Sequence, residues 1–291
     1  MNTKQKINDI IIGSLPENKT VCLTLDLEQD YGDLLKIPEY QGLKYIPDLA
    51  SFIKESNISL TVFVQGSIFE MFPDAIGQLS ELDVEFELHS YSHRRYQNTN
   101  TKYEVESGKS AYYKYFGRNP KGYRFPSGIF NASDYKTLVD NGFQFDSSVF
   151  PSVRPGAFNN LNKPITPYYL NDPGIIEFPF TVFSRFLRIP IALSYIRLLG
   201  WPYLELIKSP ILPKFIILNF HMHDLFTLPA ASKINAQESS LLSKYIYKRI
   251  YLQEKSNGYS LLKIIVAMLK KRKFTFAKLE TIYPLIINNI K

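Results

Sequence analysis

Short apolar runs alternate along the chain with longer stretches whose apolar residues recur at helical spacing. The short runs are rich in β-branched and aromatic residues, which favours strands. Eight strands are predicted, over residues 21–25, 60–64, 84–88, 123–125, 143–145, 175–178, 215–220 and 274–276. Helices are predicted over residues 46–55, 67–82, 102–116, 132–140, 191–206 and much of the C-terminal part. Because strands and helices alternate, the pattern indicates a parallel sheet.

The length of 291 residues would allow two domains, but no linker and no repeat of fixed period divides the chain. About eight β/α units in one uninterrupted chain predict a single α/β domain. We expect a distorted (β/α) barrel with seven or eight strands, similar to a TIM barrel, rather than an open doubly wound sheet. A strongly apolar stretch around residues 180–212 is expected to be an insertion in this barrel.

The composition excludes several classes of protein. With 45% hydrophobic and 21% charged residues, the chain is globular rather than disordered. Its single cysteine, Cys22, excludes a disulfide framework and a cysteine-based metal site within one chain. A metal would therefore be held by histidine and carboxylate. The four histidines fall in two pairs, His89 with His93 and His221 with His223.

Charge and chain ends bear on partners and location. The net charge is +7, but most basic residues are scattered and no nucleic-acid motif is present, so no nucleic-acid partner is predicted. Residues 1–16 lack the apolar core of a signal peptide, and charges interrupt the most apolar region. We therefore expect a soluble protein in the cytoplasm or at the cytoplasmic face of the membrane, with residues 180–212 as the candidate for peripheral membrane contact.

Reactive side chains lie at or just after the C-terminal ends of the predicted strands. In a β/α barrel those ends share one face, on which active sites of this architecture are built. Residues far apart in sequence are therefore expected to converge. They are Asp26, Glu28, His89, Arg124, Asp146, His221 and His223.

Two of these motifs suit metal chemistry. His89 and His93 are four residues apart and would face one side if the segment turned into a helix, as two metal ligands require. Alone, the pair would as readily be packed or exposed loop histidines. Asp26 and Glu28 point the same way in an extended chain, so one could bind a metal while the other takes a proton, and Asp30 adds a third carboxylate. Acidic residues in loops are usually only solvated.

The other polar residues are weaker signals when each is taken alone. The guanidinium of Arg124 can hold a carboxylate in a fixed orientation, although Arg124 taken alone could equally be an ordinary surface arginine. Asp146 could simply cap the end of a strand. Of His221 and His223, only one need point into a barrel. The combination favours a site, because independent accidents would have to place all of these residues at strand ends.

Taken in order, the motifs resemble those of NodB-type polysaccharide deacetylases, carbohydrate esterase family 4, over about residues 20–280. Within that family the sequence is most similar to the exosortase-associated branch, whose first motif is Asp-x-Glu. The resemblance implies a distorted β/α barrel and metal-dependent removal of N-acetyl groups from sugars. The matching segments are Asp26-Leu27-Glu28, His89-Ser90-Tyr91-Ser92-His93, Arg124-Phe125-Pro126-Ser127-Gly128, Asp146-Ser147-Ser148 and Leu218-Asn219-Phe220-His221.

The resemblance also implies a role for each motif residue. The metal would be zinc by default, or iron or cobalt. Asp26 would be the base, oriented by Arg124, and His221 the acid, supported by Asp146. The metal ligands would be Glu28, His89 and His93.

Departures from the family pattern leave two assignments open. The usual first motif has adjacent aspartates followed by glycine, so either Glu28 or Asp30 could be the acidic ligand. The last motif is doubled, and the apolar residues that precede His221 favour it over His223 as the acid. Because aromatic rings stack on sugars, groove positions are expected near the motifs. These are Tyr31, Tyr91 and Phe125.

The predicted function is hydrolysis of N-acetyl groups on a sugar polymer or a glycan precursor, with an N-acetylated glycan as partner. Two alternatives are retained. One is a hydrolase of a small cyclic amide from the same superfamily, which motifs separate poorly from sugar deacetylases. The other is a catalytically lapsed carbohydrate-binding scaffold, suggested by the altered first motif.

Overall fold

A computed structural model of the chain describes residues 10–13, 15–94, 99–234, 241–251 and 258–288. The strands are β1 (Ile10–Ile12), β2 (Thr20–Leu27), β3 (Leu60–Val64), β4 (Val84–Leu88), β5 (Gly122–Tyr123), β6 (Phe145–Asp146), β7 (Val153–Arg154), β8 (Phe158–Asn159), β9 (Tyr168–Leu170), β10 (Ile175–Glu177), β11 (Phe215–His221) and β12 (Thr275–Phe276). The α-helices are α1 (Ile46–Ser56), α2 (Gly66–Met71), α3 (Pro73–Ser80), α4 (Thr101–Phe116), α5 (Asp134–Asp140), α6 (Leu193–Leu199), α7 (Trp201–Lys208), α8 (Met222–Leu225), α9 (Leu241–Tyr251), α10 (Gly258–Lys271) and α11 (Leu279–Asn288). Short 3-10 helices lie at Gly32–Leu34, Gln41–Tyr45, Pro126–Gly128 and Pro229–Lys233.

Seven parallel strands form the body of the sheet, in the order β10-β6-β5-β4-β3-β2-β11. The antiparallel strands β9 and β1 extend it beyond β10, and β12 pairs with the start of β2. The segment after β10 reaches the opposite edge, since the amide of Ile217 donates to Thr181 Oγ1 and Ala192 bridges Asn219. The predicted α/β fold with a mainly parallel, barrel-like sheet is confirmed.

The predicted elements are present with shifted ends, and two predicted helices are divided. The helix expected over 67–82 is interrupted at Phe72 by Pro73, which starts a second helix because proline is favoured in a first turn. The helix expected over 191–206 breaks at Gly200, whose φ of +69° suits glycine. Most of residues 1–16 and parts of the predicted C-terminal helical region lie outside the described residues.

Side chains alternate between the two faces of each strand, which separates an outer from an inner apolar layer. On β2, Val21, Leu23 and Leu25 pack towards the outer helices, whereas Cys22 belongs to an inner cluster. On β11, in register with β2, Ile217 is the inner partner of Cys22. Because side chains alternate between faces, the next inner positions up both strands are polar, and they end at the mouth of the barrel. These positions are Thr24 and Asp26 on β2, with Asn219 and His221 opposite them.

Helix α11 closes the other end of the barrel. Its residues Leu279, Ile282 and Ile286 pack against the inner cluster. Glu85 of β4 holds the start of this helix, because its carboxylate accepts the amides of Leu279 (2.6 Å) and Glu280 (2.9 Å). Among the described residues, no helix is long and apolar enough to cross a membrane.

Glu85 adds a pH-dependent component to stability. Burial raises the pKa of Glu85 from 4.5 to about 7, so between those values the folded protein keeps a proton that the unfolded chain releases. Its contribution to the free energy of unfolding therefore falls as pH rises through that range. Glu85→Gln removes this titration, so from about pH 5 to about pH 8 the stability of the variant relative to the wild type should rise by about 2–3 kcal/mol. Urea unfolding measures the difference; exposed Glu81→Gln is the control, and a pH-independent difference would contradict the assignment.

Candidate active site and metal centre

The predicted site residues gather at the C-terminal end of the parallel strands. Asp26 lies one residue before the end of β2, and His221 is the last residue of β11. His89 follows β4 directly. A cavity of about 380 Å³ opens at this end. Asp146 is absent from its lining, whereas these predicted residues are part of it: Asp26, Glu28, His89, His93, Arg124, His221 and His223.

Glu28, His89 and His93 form a buried cluster. The Nε2 atoms of His89 and His93 lie 2.9 and 2.5 Å from the same Glu28 Oε2. His89 Nδ1 lies 2.8 Å from the carbonyl oxygen of Arg124, and since that oxygen only accepts, Nδ1 carries the hydrogen and Nε2 presents its lone pair to Glu28. A lone pair facing a carboxylate is stable only with a cation or proton between them. This donor set therefore fits a divalent metal ion.

A second combination of donors overlaps the first. One ligand atom each of Glu28, His221 and His223 also lies within 4.8 Å of the others. His223 Nδ1, however, accepts a hydrogen bond from the Tyr31 amide at 3.0 Å. Burial and then His221 lower the pKa of His223 to about 4, so it is neutral. Its imidazole stacks on that of His221 with centroids 4.7 Å apart.

The two imidazoles of the first cluster converge through a loop, not through a helix. Ser90 and His93 have φ of +62° and +52°, in the left-handed region that a helix excludes. Glu104 of α4 pins this loop by accepting the hydroxyls of Ser90 and Ser92 (both 2.5 Å) and the amides of Tyr91 (2.9 Å) and Ser92 (2.7 Å). The four-residue spacing brings the histidines together because one carboxylate fixes the chain between them.

Asp26 is a buried carboxylate held by two donors. Arg124 Nη1 donates to its Oδ1 at 2.6 Å, and Asn219 Nδ2 donates to its Oδ2 at 3.1 Å. The guanidinium is itself fixed between the rings of Phe63 and Phe180, at 4.0 and 4.5 Å from their centroids. Burial alone would favour the protonated acid, but Arg124 outweighs it and holds the pKa of Asp26 well below its usual value. Asp26 is thus ionised and fixed in orientation.

His221 is supported by Asp224. Its Nδ1 lies 2.8 Å from Asp224 Oδ2, which also accepts the His221 amide at 3.0 Å. Its Nε2 faces the cavity, 3.4 Å from Asp26 Oδ2. Burial alone would lower the pKa of His221, but Asp224 and then Asp26 raise it well above its usual value. The imidazolium can therefore carry a proton into the cavity.

Asp146, expected beside His221, lies elsewhere in a buried network. Its Oδ1 accepts the hydroxyl of Ser148 at 2.8 Å, and burial together with Glu177 raises the pKa of Asp146 well above its usual value. The physical reason is the strand order, in which β6 lies between β5 and β10, away from β11. The expected contact of Asp146 with His221 is replaced by that of Asp224, three residues later in α8.

Of the remaining predicted positions, two line the cavity and two do not. Asp30 accepts the amides of Gln41 (2.6 Å) and Gly42 (3.0 Å), and burial raises its pKa to about 6. It is thus bound to a neighbouring loop, whereas Glu28 contacts both imidazoles. Tyr31 and Phe125 line the cavity. The third expected groove residue, Tyr91, donates to Glu70 outside it.

Comparisons with known proteins find one matching family model and several solved structures of similar fold. Residues 15–145 match the family model for polysaccharide deacetylase. Among solved structures, a protein from Mycobacterium smegmatis classed as a polysaccharide deacetylase superposes with a TM-score of 0.64 at 17% identity, covering 95% of this chain and 93% of that one. A CE4 family pseudoenzyme from Bacillus anthracis gives 0.53 at 12% identity, over 94% and 68% of the two chains.

A peptidoglycan N-acetylglucosamine deacetylase also gives a TM-score of 0.53, at 15% identity, over 93% of this chain and 91% of that one. The sequence matches no curated protein closely enough to count as a relative. At these identities the solved structures show a shared fold. Together with the family model, which matches less than half of the chain, they show that the sequence and fold are similar to those of polysaccharide deacetylases.

Proposed function

We propose that this chain is a polysaccharide deacetylase, a metal-dependent hydrolase that removes N-acetyl groups from a carbohydrate. The observation that carries the proposal is the convergence of three kinds of group in one cavity. A metal-ligand cluster, an ionised carboxylate and a protonated imidazole are the parts that amide hydrolysis requires. We further propose that the whole chain is one domain with its core at about residues 20–280.

Glu28, His89 and His93 would hold the metal. When bound, a divalent metal polarises the acetamide carbonyl and makes water acidic enough to lose a proton near neutral pH. Zinc is our first choice for two imidazoles and one carboxylate, and iron or cobalt suits the same set.

Asp26 and His221 would move the two protons. Asp26 is ionised and accepts the proton of the attacking water, while Arg124 and Asn219 keep the carboxylate in place. His221 donates from Nε2 to the leaving nitrogen, because Asp224 occupies Nδ1 and favours the charged ring. At the end of a turnover Asp26 carries one proton more and His221 one proton fewer. Return of a proton from Asp26 to His221, whose Nε2 lies 3.4 Å from Asp26 Oδ2, or exchange of both with water, restores the starting state.

The substrate would be an N-acetylated amino sugar in a polymer or a glycan precursor. The peptidoglycan N-acetylglucosamine deacetylase among the structural neighbours supports this class. Tyr31 and Phe125 present aromatic surface beside the polar floor, as sugar rings require.

Metal analysis of the purified chain, combined with acetate release from N-acetylglucosamine oligomers, tests the proposal. We expect about one metal ion per chain and release that a chelator abolishes and zinc restores. Metal-free protein that binds sugar without releasing acetate would identify a lapsed scaffold. Hydrolysis of small cyclic amides, without acetate release from the oligomers, would instead identify a small-amide hydrolase of the same superfamily.

The support of His221 gives a prediction with a matched control. Asp224→Asn should lower kcat for acetate release by about 10–100-fold, because it removes the charge that orients and protonates His221. Asp146→Asn should change kcat less than about threefold on the same scale, because burial and Glu177 already favour the neutral acid there. Steady-state kinetics on an oligomer compares the two variants. The reverse order of effects would return the supporting role to Asp146.

A further inference from the structure

The cavity has a polar floor but an apolar outer wall. Three elements on one side of the mouth supply this wall: the hairpin of β7 and β8, helix α6 and helix α9. A sugar alone does not account for so much apolar surface next to its binding site. The apolar lining residues are Phe150, Val153, Pro155, Phe158, Leu198, Ile246 and Ile250.

Large apolar side chains are also exposed directly beside this wall. Phe186 is 96% exposed at the tip of a tight turn, which closes with the Ser184 amide donating to the Leu187 carbonyl. Trp201 is 71% exposed at the start of α7, next to exposed Leu199 at the end of α6. We call the turn at 184–188, the α6–α7 junction at 199–201 and the β7 residues Val153 and Arg154 the rim.

Hydrogen bonds join the parts of the rim into one surface. Arg188 Nη1 donates to the carbonyls of Pro151 (3.2 Å) and Lys163 (3.1 Å), which connects the turn to the segment that carries β7 and β8. The Tyr203 hydroxyl lies 3.0 Å from the Ile189 carbonyl, which connects α7 to the base of the same turn. Because Val153, Arg154 and α6 also line the cavity, the rim borders its mouth.

The charged residues of the rim are all basic. From Ser147 to Leu204 the only acidic residues are Asp172 and Glu177. Glu177 is fully buried, and Asp172 lies in the turn between β9 and β10, at the opposite end of the sheet. The rim itself carries Arg154, Arg185 and Arg188, and helix α9 contains basic but no acidic residues.

We propose that the rim docks on an anionic lipid bilayer and places the mouth of the cavity against the membrane. Exposed aromatic and aliphatic side chains flanked by arginines match a surface of acyl chains and phosphate groups. The nearest acid in α7, Glu205, is paired with Lys208 at 2.7 Å. Resting on the proposed function, the substrate would then be an N-acetylated sugar held at that bilayer. The docking itself does not depend on catalysis.

Co-sedimentation of the full chain with vesicles tests the docking. We compare vesicles of phosphatidylcholine with vesicles that also contain phosphatidylglycerol, and expect binding that needs phosphatidylglycerol and weakens with salt. Phe186→Glu combined with Trp201→Glu should lower the bound fraction at least about tenfold, and Arg185→Ala about fivefold. Ile211→Glu is the control, because Ile211 is 71% exposed like Trp201 but lies beyond the other end of α7.

Several outcomes would overturn the docking. They are absent binding, equal binding to vesicles without phosphatidylglycerol, and an equal loss in the Ile211→Glu control. Retention of the wild type by a soluble anionic polysaccharide but not by vesicles would assign the rim to a polymer instead.

A parallel activity measurement separates this proposal from the proposed function. Neither Phe186 nor Trp201 lines the cavity, so the double variant should release acetate from a soluble oligomer at the wild-type rate. Wild-type protein that binds anionic vesicles through the rim but releases no acetate would support the docking and overturn the proposed function alone.

Discussion

Replacing Asp26 with asparagine is expected to lower kcat for acetate release by about 10³-fold or more while the metal stays bound. The amide has nearly the same shape and can still accept from Arg124, but it cannot take a proton from water. Acetate release and metal content, measured on the same preparation, check both parts. Asp30→Asn is the control, since that carboxyl accepts loop amides and should change kcat less than about tenfold on the same scale.

Two results would contradict the role of Asp26. Release at the wild-type rate in Asp26→Asn would remove Asp26 from proton transfer. Loss of the metal together with the activity would make Asp26 a ligand rather than a base. Because Asp26 forms a buried ion pair with Arg124, loss of activity could also come from a folding defect in Asp26→Asn. The free energy of unfolding of the variant is therefore measured as well.

Replacing His89 with alanine is expected to remove both the metal and the activity. His89 is one of only two imidazoles that contact Glu28 Oε2 among the described residues, so two ligands would remain and affinity should fall at least about 100-fold. Elemental analysis after dialysis measures the metal. His223→Gln is the matched variant, because His223 belongs to the overlapping donor set and accepts the Tyr31 amide.

The pair of variants distinguishes the two donor sets. Metal retained in His223→Gln and lost in His89→Ala would support Glu28, His89 and His93 as the ligands. Stoichiometric metal in His89→Ala with loss in His223→Gln would place the ion between Glu28, His221 and His223.

Much of the fold and part of the site could be predicted because they depend on local periodicity. Strand alternation places Asp26 and His221 on inner faces, and parallel strands bring their ends to one edge. The resemblance to polysaccharide deacetylases agrees with the family-model match over residues 15–145, while the exosortase-associated branch stays a prediction.

The rest depended on contacts that no local pattern contains. Glu104 pins the metal loop from a helix whose own sequence shows only helical spacing. Asn219 contacts Asp26 because β11 pairs with β2 across almost the whole chain. The contact of Asp224 could have been predicted from the sequence, because a carboxylate three positions after His221 in a helical turn can reach the His221 imidazole. Asp146 was assigned by resemblance, and the strand order carries it away from His221.

Helix α11 forms an apolar plug at the end of the barrel opposite the cavity. Cys22, Phe63 and Phe145 are fully buried and belong to the same apolar cluster as Leu279 and Ile282, which places an apolar layer beneath the polar floor of the site. If the chain has the proposed activity, water would enter and acetate would leave on the side away from α11, through the mouth that His221 lines.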